Sequence, residues 1–333
     1  MAAYDPATPL AEEVTSRFGG RTARSADELI EGRDVDVVFV ATPHHLHAQL
    51  AVQAARAGRH VLVEKPLAVD LEQALTVADA ADRYGVAVSI CLPYRYAPHV
   101  VEARRLIRDG ALGTFAAASL VYLVDKPPSY WSSGYSGRAV SDWRGSREKA
   151  GGGVLLMNLS HYLDALRYLV DVEVESVSAH VSSVDQVPRI DVEDSVALTL
   201  RYENGAIAAV MGSAACRGAS RLELAIWGEV GHISVESPSK AYSLRASGDV
   251  MAGRWRFLPT RSGVTDQRER MAFLDDFAAA VRDRRQPDVS VSDGIAVQAL
   301  IEAAYRSSHE RRPASPDDIL REAEVRAGRR GPA

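Results

Sequence analysis

Two side chains suited to proton transfer, Lys65 and His161, are the strongest candidates for chemistry in this sequence. Lys65 follows the apolar run His60–Val63, which predicts a buried strand of a parallel sheet. Open sheets of this kind bind ligands at the carboxyl ends of their strands, and an ammonium there can polarise a reacting oxygen. The imidazole of His161 has an ordinary pKa of about 6.5, which suits acid/base work. The alternatives are a surface lysine and a structural histidine.

The elements that would position the lysine alternate between helical and strand patterns, as in βαβ units. Leu10–Phe18 predicts a helix, Val35–Ala41 (VDVVFVA) a strand buried on both faces, and Leu46–Ala57 a helix with one apolar side. Leu71–Tyr84 predicts a further helix and Val86–Cys91 a further strand. This order predicts a parallel sheet packed against helices.

The chain changes character near residue 115, where the predicted strands become longer and alternate apolar with polar residues. Such alternation is typical of antiparallel strands with one covered face. Asn204-Gly205 predicts a hairpin turn, because both residues tolerate positive φ angles. The predicted strands are Phe115–Val124, Glu173–Val184, Ser195–Tyr202 and Ala206–Ala214, and the helices are Pro98–Arg108, one after Gly151-Gly152-Gly153, Arg268–Arg282 and Gly294–Arg306.

Length, charge and cysteine content restrict the class of protein. A chain of 333 residues exceeds the size of one core, roughly 250 to 300 residues, and predicts two domains. A formal net charge of −5 with mixed signs offers no basic surface for nucleic acid, so we expect a small-molecule partner. No apolar stretch of about 18 residues and no signal-peptide pattern occur, and Cys91 and Cys216 form no redox or metal pair. We expect a cytoplasmic protein without membrane association.

Three histidines, His44, His45 and His47, are close together in the sequence and raise the question of a metal. A zinc site needs three or four ligands that converge in space. No matching set of ligands occurs elsewhere in the sequence, so we expect no metal.

Several short motifs in a fixed order resemble the Gfo/Idh/MocA oxidoreductases, the family of glucose-fructose oxidoreductase and inositol dehydrogenase. The C-terminal segments Phe277–Pro287, Val291–Gly294 and Ala304–Ser307 also resemble the end of that family, so the resemblance covers nearly the whole chain. The motifs are Ala41-Thr42-Pro43, Glu64-Lys65-Pro66, Arg95-Tyr96-Ala97-Pro98, Trp143-Arg144 and Gly151-Gly152-Gly153 followed by His161.

The resemblance implies a fold of the α/β class in two domains. Residues 1–95 would form an incomplete Rossmann-like domain with a parallel sheet, and residues 96–320 an α+β domain with a large, open, mainly antiparallel sheet. Residues 321–333 would be a tail. The active site would lie between the domains, and the C-terminal sheet would form a homodimer or homotetramer.

The resemblance also implies the reaction and its residues. An NAD(P)-dependent enzyme would move a hydride between nicotinamide and a ring carbinol or ketone of a sugar or cyclitol, with Lys65 as catalytic residue assisted by His161. Pro66 would be a cis proline. The residues expected at the cofactor are Asp5, Thr42, Pro43, His44, His47, Glu64, Lys65 and Arg95, and those expected at the substrate are Lys65, Tyr94, Trp143, Asn158 and His161. Packing between the domains is the alternative role for Tyr94, Arg95 and Trp143.

One departure from the family pattern falls beside the catalytic histidine. The family commonly has an aspartate one helical turn before it, where this chain has Met157. Asn158 can reach the same face, but an amide does not exchange a proton as a carboxylate does. Asp164, one turn after His161, would orient the imidazole or face water.

The cofactor-holding end departs from the pattern as well. A dinucleotide site needs a strand, a glycine-rich turn and, about 20 residues later, an acid for the ribose hydroxyls. Asp5 is that acid and favours NAD, with NADP as the alternative, because its carboxylate would repel a 2′-phosphate. Met1–Asp5 (MAAYD) resembles the end of a second strand, so about 30 residues should precede it. We expect a start upstream of Met1, the alternative being a degenerate homologue that binds cofactor weakly.

Two rival functions remain open at the level of sequence. A glycoside hydrolase of the same fold would keep NAD bound and use it for transient oxidation. A cofactor-free subunit or scaffold would explain the missing glycine-rich turn, whereas Glu64-Lys65-Pro66 and His161 favour an enzyme.

Overall fold

The structure is a computed structural model that describes residues 1–134, 137–138, 140–184, 190–218, 220–237, 241–246, 256–258 and 265–329. Its first part alternates strands and helices, as the sequence predicts. The elements are β1 (Ala2–Ala3), α1 (Thr8–Phe18), β2 (Arg21–Thr22), α2 (Ala26–Glu31), β3 (Val37–Val40), α3 (His47–Arg56), β4 (His60–Val63), α4 (Leu71–Tyr84) and β5 (Val88–Ile90).

Parallel pairing organises this part of the chain. β3, β4 and β5 form a three-stranded parallel sheet in that order, and β1 and β2 pair in parallel as a separate two-stranded sheet. The predicted parallel sheet is confirmed. The expectation that the strand around β3 is buried on both faces is wrong, because Val38 and Val40 are buried while Val37 and Phe39 are 40% and 52% exposed. One face of β3 is therefore open.

Local signals explain where α4 begins and ends. The side chain of Asp70 accepts the Gln73 N–H at 2.8 Å, which satisfies one of the free donors of the first turn. Gly85 then ends the helix with φ 62°, a left-handed conformation that glycine adopts without steric cost. α4 is confirmed with the predicted bounds.

The second part of the chain consists of one large sheet and the helices around it. Its elements are α5 (Pro98–Arg108), β6 (Phe115–Leu123), α6 (Tyr130–Ser133), α7 (Arg147–Ala150), a π-helical turn (Leu155–Leu159), α8 (Ser160–Val170), β7 (Val174–Ser182), β8 (Ser195–Tyr202), β9 (Ile207–Ser213), β10 (Arg221–Gly228), β11 (Gly231–Ser237), β12 (Ala241–Ala246), β13 (Arg256–Leu258), α9 (Thr265–Asp283), α10 (Val291–Glu310) and α11 (Pro316–Arg326).

The large sheet is open and mainly antiparallel, as predicted. Its order is β13-β12-β11-β10-β6-β9-β8-β7, and β6 and β9 are its one parallel pair among the described strands. The predicted hairpin between β8 and β9 is confirmed, with Gly205 at φ 85°. The middle strands alternate buried and exposed residues, so one face packs against helices and the other is exposed.

Residues 316–326 form a helix, although the sequence predicts a tail from residue 321. α11 begins with the hydroxyl of Ser315 accepting the Asp318 N–H, and it buries Ile319 and Ala323. The segment 321–333, expected as a tail, therefore begins inside a helix that packs against α4 and α10.

Candidate active site

Lys65 lies two residues after the last residue of β4, at the carboxyl end of the parallel sheet, as predicted. The Lys65–Pro66 peptide bond is cis, which confirms the expectation for Pro66. The ammonium Nζ donates a hydrogen bond to the carbonyl oxygen of Met157. Burial lowers the pKa of Lys65 and Glu64 opposes that effect, so the neutral amine is closer in free energy than for a lysine in water.

The acceptor of this hydrogen bond belongs to an unusual helical turn. Leu155–Leu159 is π-helical and continues into α8. Such turns depart from regular i→i+4 bonding and recur at functional sites. The Met157 side chain is buried, with its sulfur 4.0 Å from the Tyr130 hydroxyl. The sequence presents Met157 as a missing carboxylate, whereas in the structure its main-chain oxygen holds Lys65.

His161 lies on α8, one turn beyond this carbonyl. Its Nδ1 is buried and has no hydrogen-bond partner among the described residues. Burial, reinforced by the charge of Lys65, lowers the pKa of His161 to about 3. The imidazole is therefore neutral at physiological pH, and it can exchange hydrogen bonds with a substrate hydroxyl but does not carry a resting positive charge. The catalytic roles of Lys65 and His161 stay predictions.

The triple glycine before this helix is fixed by Glu193, a residue that the sequence did not single out. The Glu193 carboxylate accepts N–H groups from Gly153 at 2.8 Å and Leu155 at 3.0 Å, and its main-chain oxygen accepts the Val154 N–H at 2.9 Å. Tyr305 donates its hydroxyl to the same carboxylate at 2.9 Å. Three consecutive donors at the start of the helix are thus satisfied by one buried residue.

A second lysine, Lys126, is also buried beside the candidate site. It follows β6, is 2% exposed, and has its Nζ 4.3 Å from the centroid of the Tyr130 ring. Burial, with the charges of Lys65 and Arg144, lowers the pKa of Lys126 to about 8. Its position at a strand end was the available sequence signal, but only the folded chain brings it near Lys65.

Tyr130 connects the residues on this side of the site. Its hydroxyl is hydrogen-bonded by the side chains of Arg144 and Asn158. The guanidinium of Arg144 also lies 4.4 Å from the Trp143 ring. The expected substrate residues Trp143 and Asn158 are therefore close to one another through Tyr130, and Trp143 borders the cavity described next.

The open face of β3 and the end of β1 border a cavity of about 1210 Å³ that extends to Lys65. Asp5 lies at its wall and accepts the Ala7 N–H at 2.8 Å, and Pro43 borders the same space. The Thr42 hydroxyl is buried there without a hydrogen-bond partner among the described residues. A buried polar atom of this kind calls for a ligand or water. The acid and the unsatisfied hydroxyl fit the predicted dinucleotide.

Glu64 lines the same cavity next to Lys65. Its carboxylate is hydrogen-bonded to the thiol of Cys91, and burial together with this carboxylate raises the pKa of Cys91. The thiol is therefore protonated at physiological pH.

His44 contacts two residues of the second part of the chain, Ala150 and Trp143. It is 4% exposed, with Nδ1 2.8 Å from the carbonyl oxygen of Ala150 and its ring centroid 4.4 Å from that of Trp143. Burial, then Lys65, lowers the pKa of His44 well below its ordinary range. This histidine is neutral and borders the cavity, and its expected position at the cofactor stays a prediction.

His47 has a structural role that the sequence did not predict. It is fully buried, and its ring nitrogens lie 2.7 Å from the Pro66 carbonyl oxygen and 2.8 Å from that of Thr42. Both ring nitrogens therefore face protein carbonyls, while the residue also borders the cavity, and the expected contact of His47 with cofactor stays a prediction. His47 connects the turn after β3 to the turn after β4.

Arg95 and Tyr94 contact side chains of α8 and α10. Arg95 is 8% exposed and donates to Asp164 at 2.8 and 2.5 Å and to Asp293 at 2.8 Å. Tyr94 packs edge-on against Tyr162 with ring centroids 5.1 Å apart. Neither residue is among those that border the cavity, and the expected ligand contacts of both stay predictions. Asp164 neither orients His161 nor faces water, because it pairs with Arg95.

In the part of the chain that the structure describes, no group of three or more histidine, cysteine, aspartate or glutamate side chains could hold a metal ion. Among the described helices, none has the length and apolar character needed to cross a membrane.

Fold and site together define an α/β protein with a Rossmann-like parallel sheet, a second, mainly antiparallel sheet, and a candidate catalytic lysine at the carboxyl end of the first. The model of the Gfo/Idh/MocA oxidoreductase family, NAD-binding Rossmann fold, matches residues 1–91, and the model of the Gfo/Idh/MocA C-terminal domain matches residues 100–234. The chain belongs to the Gfo/Idh/MocA family.

Individual relatives include several sugar and cyclitol enzymes. The chain is 32% identical to levoglucosan dehydrogenase of Pseudarthrobacter phenanthrenivorans over 60% of this chain and 55% of the relative. It is 35% identical to 1,5-anhydro-D-fructose reductase of Ensifer adhaerens over 57% of this chain and 54% of the relative. These two alignments therefore span about half the length of each relative. Inositol 2-dehydrogenase of Rhizobium meliloti is 26% identical over 95% of this chain and 91% of the relative. The solved structure of levoglucosan dehydrogenase in complex with NADH has a TM-score of 0.83 at 26% identity, covering 94% of this chain and 89% of that chain.

Proposed function

We propose that this chain is an NAD-dependent oxidoreductase that moves a hydride between nicotinamide and a ring carbinol or ketone of a sugar or cyclitol. The observation that carries the proposal is the Lys65 ammonium, held against the Met157 carbonyl beside His161 at the end of a cavity with dinucleotide-type features. The relatives that are named as dehydrogenases and reductases of such rings support it.

In the proposed site the residues at the cavity wall would hold the cofactor. Asp5 binds the ribose hydroxyls and the Thr42 hydroxyl gains the hydrogen-bond partner that it lacks, while Pro43 and His44 shape the wall. The bound nicotinamide supplies the hydride acceptor or donor. The Asp5 carboxylate favours NAD over NADP by repelling a 2′-phosphate.

The chain's own side chains move the proton. In the oxidation, Lys65 in its neutral form takes the proton of the substrate hydroxyl, and its lowered pKa makes that form accessible. His161 hydrogen-bonds the same hydroxyl as a neutral imidazole, and Asn158 and Trp143 orient the ring. In the reverse reduction, the Lys65 ammonium returns the proton to the alkoxide oxygen.

A panel of sugars and cyclitols with NAD⁺ tests the proposal. We expect NADH formation with at least one ring substrate, and Lys65→Ala should lower kcat/KM by roughly a thousandfold, within the range of acid/base catalysis. Lys149→Ala is the matched control, because this partly exposed lysine pairs with Asp142 at 2.8 Å. Normal turnover by Lys65→Ala would refute the assignment, and cleavage of an aryl glycoside without net NADH would favour the hydrolase.

We also propose that the exposed face of the large sheet forms a homodimer or homotetramer. Ile207, Ala117 and Trp227 are in register on β9, β6 and β10, and Ile207 and Trp227 are 53% and 38% exposed. A row of exposed apolar side chains across neighbouring strands is typical of an interface. Light scattering should show a defined oligomer that Ile207→Lys dissociates, and a monomeric wild type would contradict the proposal. Residence in the reducing cytoplasm also stays a prediction.

A further inference from the structure

Glu193 holds the start of the helical segment that consists of the π-helical turn and α8. Glu193 is 3% exposed, and its carboxylate and main-chain oxygen together accept the N–H groups of residues 153, 154 and 155. The first N–H groups of a helix have no partner within the helix, so one external residue satisfies three of these donors here. Arg147 lies 3.4 Å from the same carboxylate. This anchor comes from a distant part of the sequence, immediately before β8.

The glycines in front of the helix are required by this anchor. A Cβ at Gly153 would overlap the carbonyl oxygen of Glu193, and a Cβ at Gly152 would overlap the Tyr305 hydroxyl. The close approach therefore fixes the path of the main chain rather than providing flexibility. The next residues form the π-helical turn, whose Met157 carbonyl accepts the Lys65 ammonium.

We propose that Glu193 is a positioning residue for proton transfer by Lys65. It acts through the main chain: Glu193 fixes residues 153–155, and these fix the Met157 carbonyl four residues or fewer away. Glu193 does not touch the cavity, so its effect on the reaction passes through the position of that acceptor. This inference rests on the proposed function of Lys65.

The charges around Lys65 distinguish an effect of Glu193 through the main chain from a direct effect of its charge on the pKa of Lys65. A carbonyl acceptor favours the charged amine, so displacing it lowers the pKa of Lys65 further. Glu193 is not among the charges that act on Lys65 directly. The titratable and charged groups around the ammonium are Glu64, Arg144, Cys91, His44, His47, His161 and Lys126.

The test compares Glu193→Gln with Glu302→Gln. Glu302 is a matched control, because its carboxylate accepts the Leu71 N–H at 2.6 Å and so also anchors a helix start from a distant segment, away from the site. For Glu193→Gln we expect kcat to fall about tenfold with KM for NAD⁺ within about twofold, and the acidic limb of the kcat/KM pH profile to move down by roughly half a unit or more. Glu302→Gln should leave the pH profile unmoved.

Amide hydrogen exchange gives a readout that does not need activity. Peptides spanning residues 153–162 should exchange at least about tenfold faster in Glu193→Gln than in the wild type and in Glu302→Gln. Tyr305→Phe removes one donor from the same carboxylate, and if Glu193→Gln fails to fold it should show smaller changes in the same direction.

The outcomes distinguish this inference from the proposed function. Faster exchange with an unmoved pH profile in an active enzyme overturns the positioning role and leaves the function intact. Unchanged exchange in Glu193→Gln also overturns it. A wild type without hydride transfer to any ring substrate refutes the proposed function, and the positioning role falls with it even where the exchange result holds.

Discussion

Replacing Lys126 by methionine should make the protein more stable and less active. The buried ammonium of Lys126 is close to the charges of Lys65 and Arg144, and these surroundings lower its pKa from 10.5 to about 8. A charged form that is disfavoured in the folded state costs stability, and methionine has a similar shape without the charge. Natural proteins retain such costs mainly at functional sites, so we expect kcat/KM to fall about tenfold or more.

The magnitude follows from the two pKa values. Between about pH 8 and pH 10.5 the unfolded chain binds this proton and the folded protein does not, so the stability of the wild type rises with pH in that window. Below pH 8 the folded protein carries the full free-energy cost of the charged Lys126 ammonium, roughly 3 kcal/mol at neutral pH. This cost declines to about 1.4 kcal/mol by pH 9.5. Lys126→Met removes this penalty, so its advantage should be largest at neutral pH.

Urea unfolding of wild type and Lys126→Met at both pH values measures this advantage. We expect the variant to exceed the wild type by roughly 3 kcal/mol at pH 7, and by about half of that at pH 9.5. Lys149→Met controls for loss of a lysine at a partly exposed position and should change stability by less than about 1 kcal/mol. A Lys126→Met variant that is less stable than the wild type, or an advantage independent of pH, would refute the reasoning.

Three further predictions follow from the described contacts. Asp164→Asn leaves the buried Arg95 with one of its two carboxylates, and thermal unfolding should show a loss of about 3 kcal/mol, whereas an unchanged melting temperature would show that the pair is dispensable. Gly153→Ala forces a methyl group into the Glu193 carbonyl, so we expect at least about 3 kcal/mol of destabilisation by denaturant unfolding; native stability would contradict the close approach. Since the pKa of His161 is about 3, its imidazole stays neutral from pH 5 to 8, and NMR of the labelled ring should show no titration there; a midpoint near pH 6.5 would contradict the burial.

The sequence predicts the strand ends well because their signals are local. A short β-branched run followed by Glu64-Lys65-Pro66 is enough to predict a buried parallel strand with a lysine at its carboxyl end. The bounds of α4 and β8 are likewise set by nearby caps and by alternation of apolar residues. These parts of the fold depend on neighbours within a few residues.

Contacts between distant segments could not be predicted in this way. Glu193 and Lys126 reach the site only after the large sheet packs against α8, and a lone buried acid or base gives no pattern in the sequence. The pairing of Arg95 with Asp164 is similar, because 69 positions separate the two residues. The open face of β3 was also missed, since an apolar run does not reveal which of its faces another element will cover.

Transfer of deuterium from a ring substrate to NAD⁺ tests the central claim most directly. A sugar or cyclitol labelled at the reacting ring carbon is incubated with the protein and NAD⁺, and the nicotinamide is analysed by mass spectrometry. We expect deuterium on the nicotinamide with the wild type and with Lys149→Ala, and a loss of roughly a thousandfold in the rate with Lys65→Ala. Label transfer at the wild-type rate by Lys65→Ala, or none with any ring substrate, would contradict it.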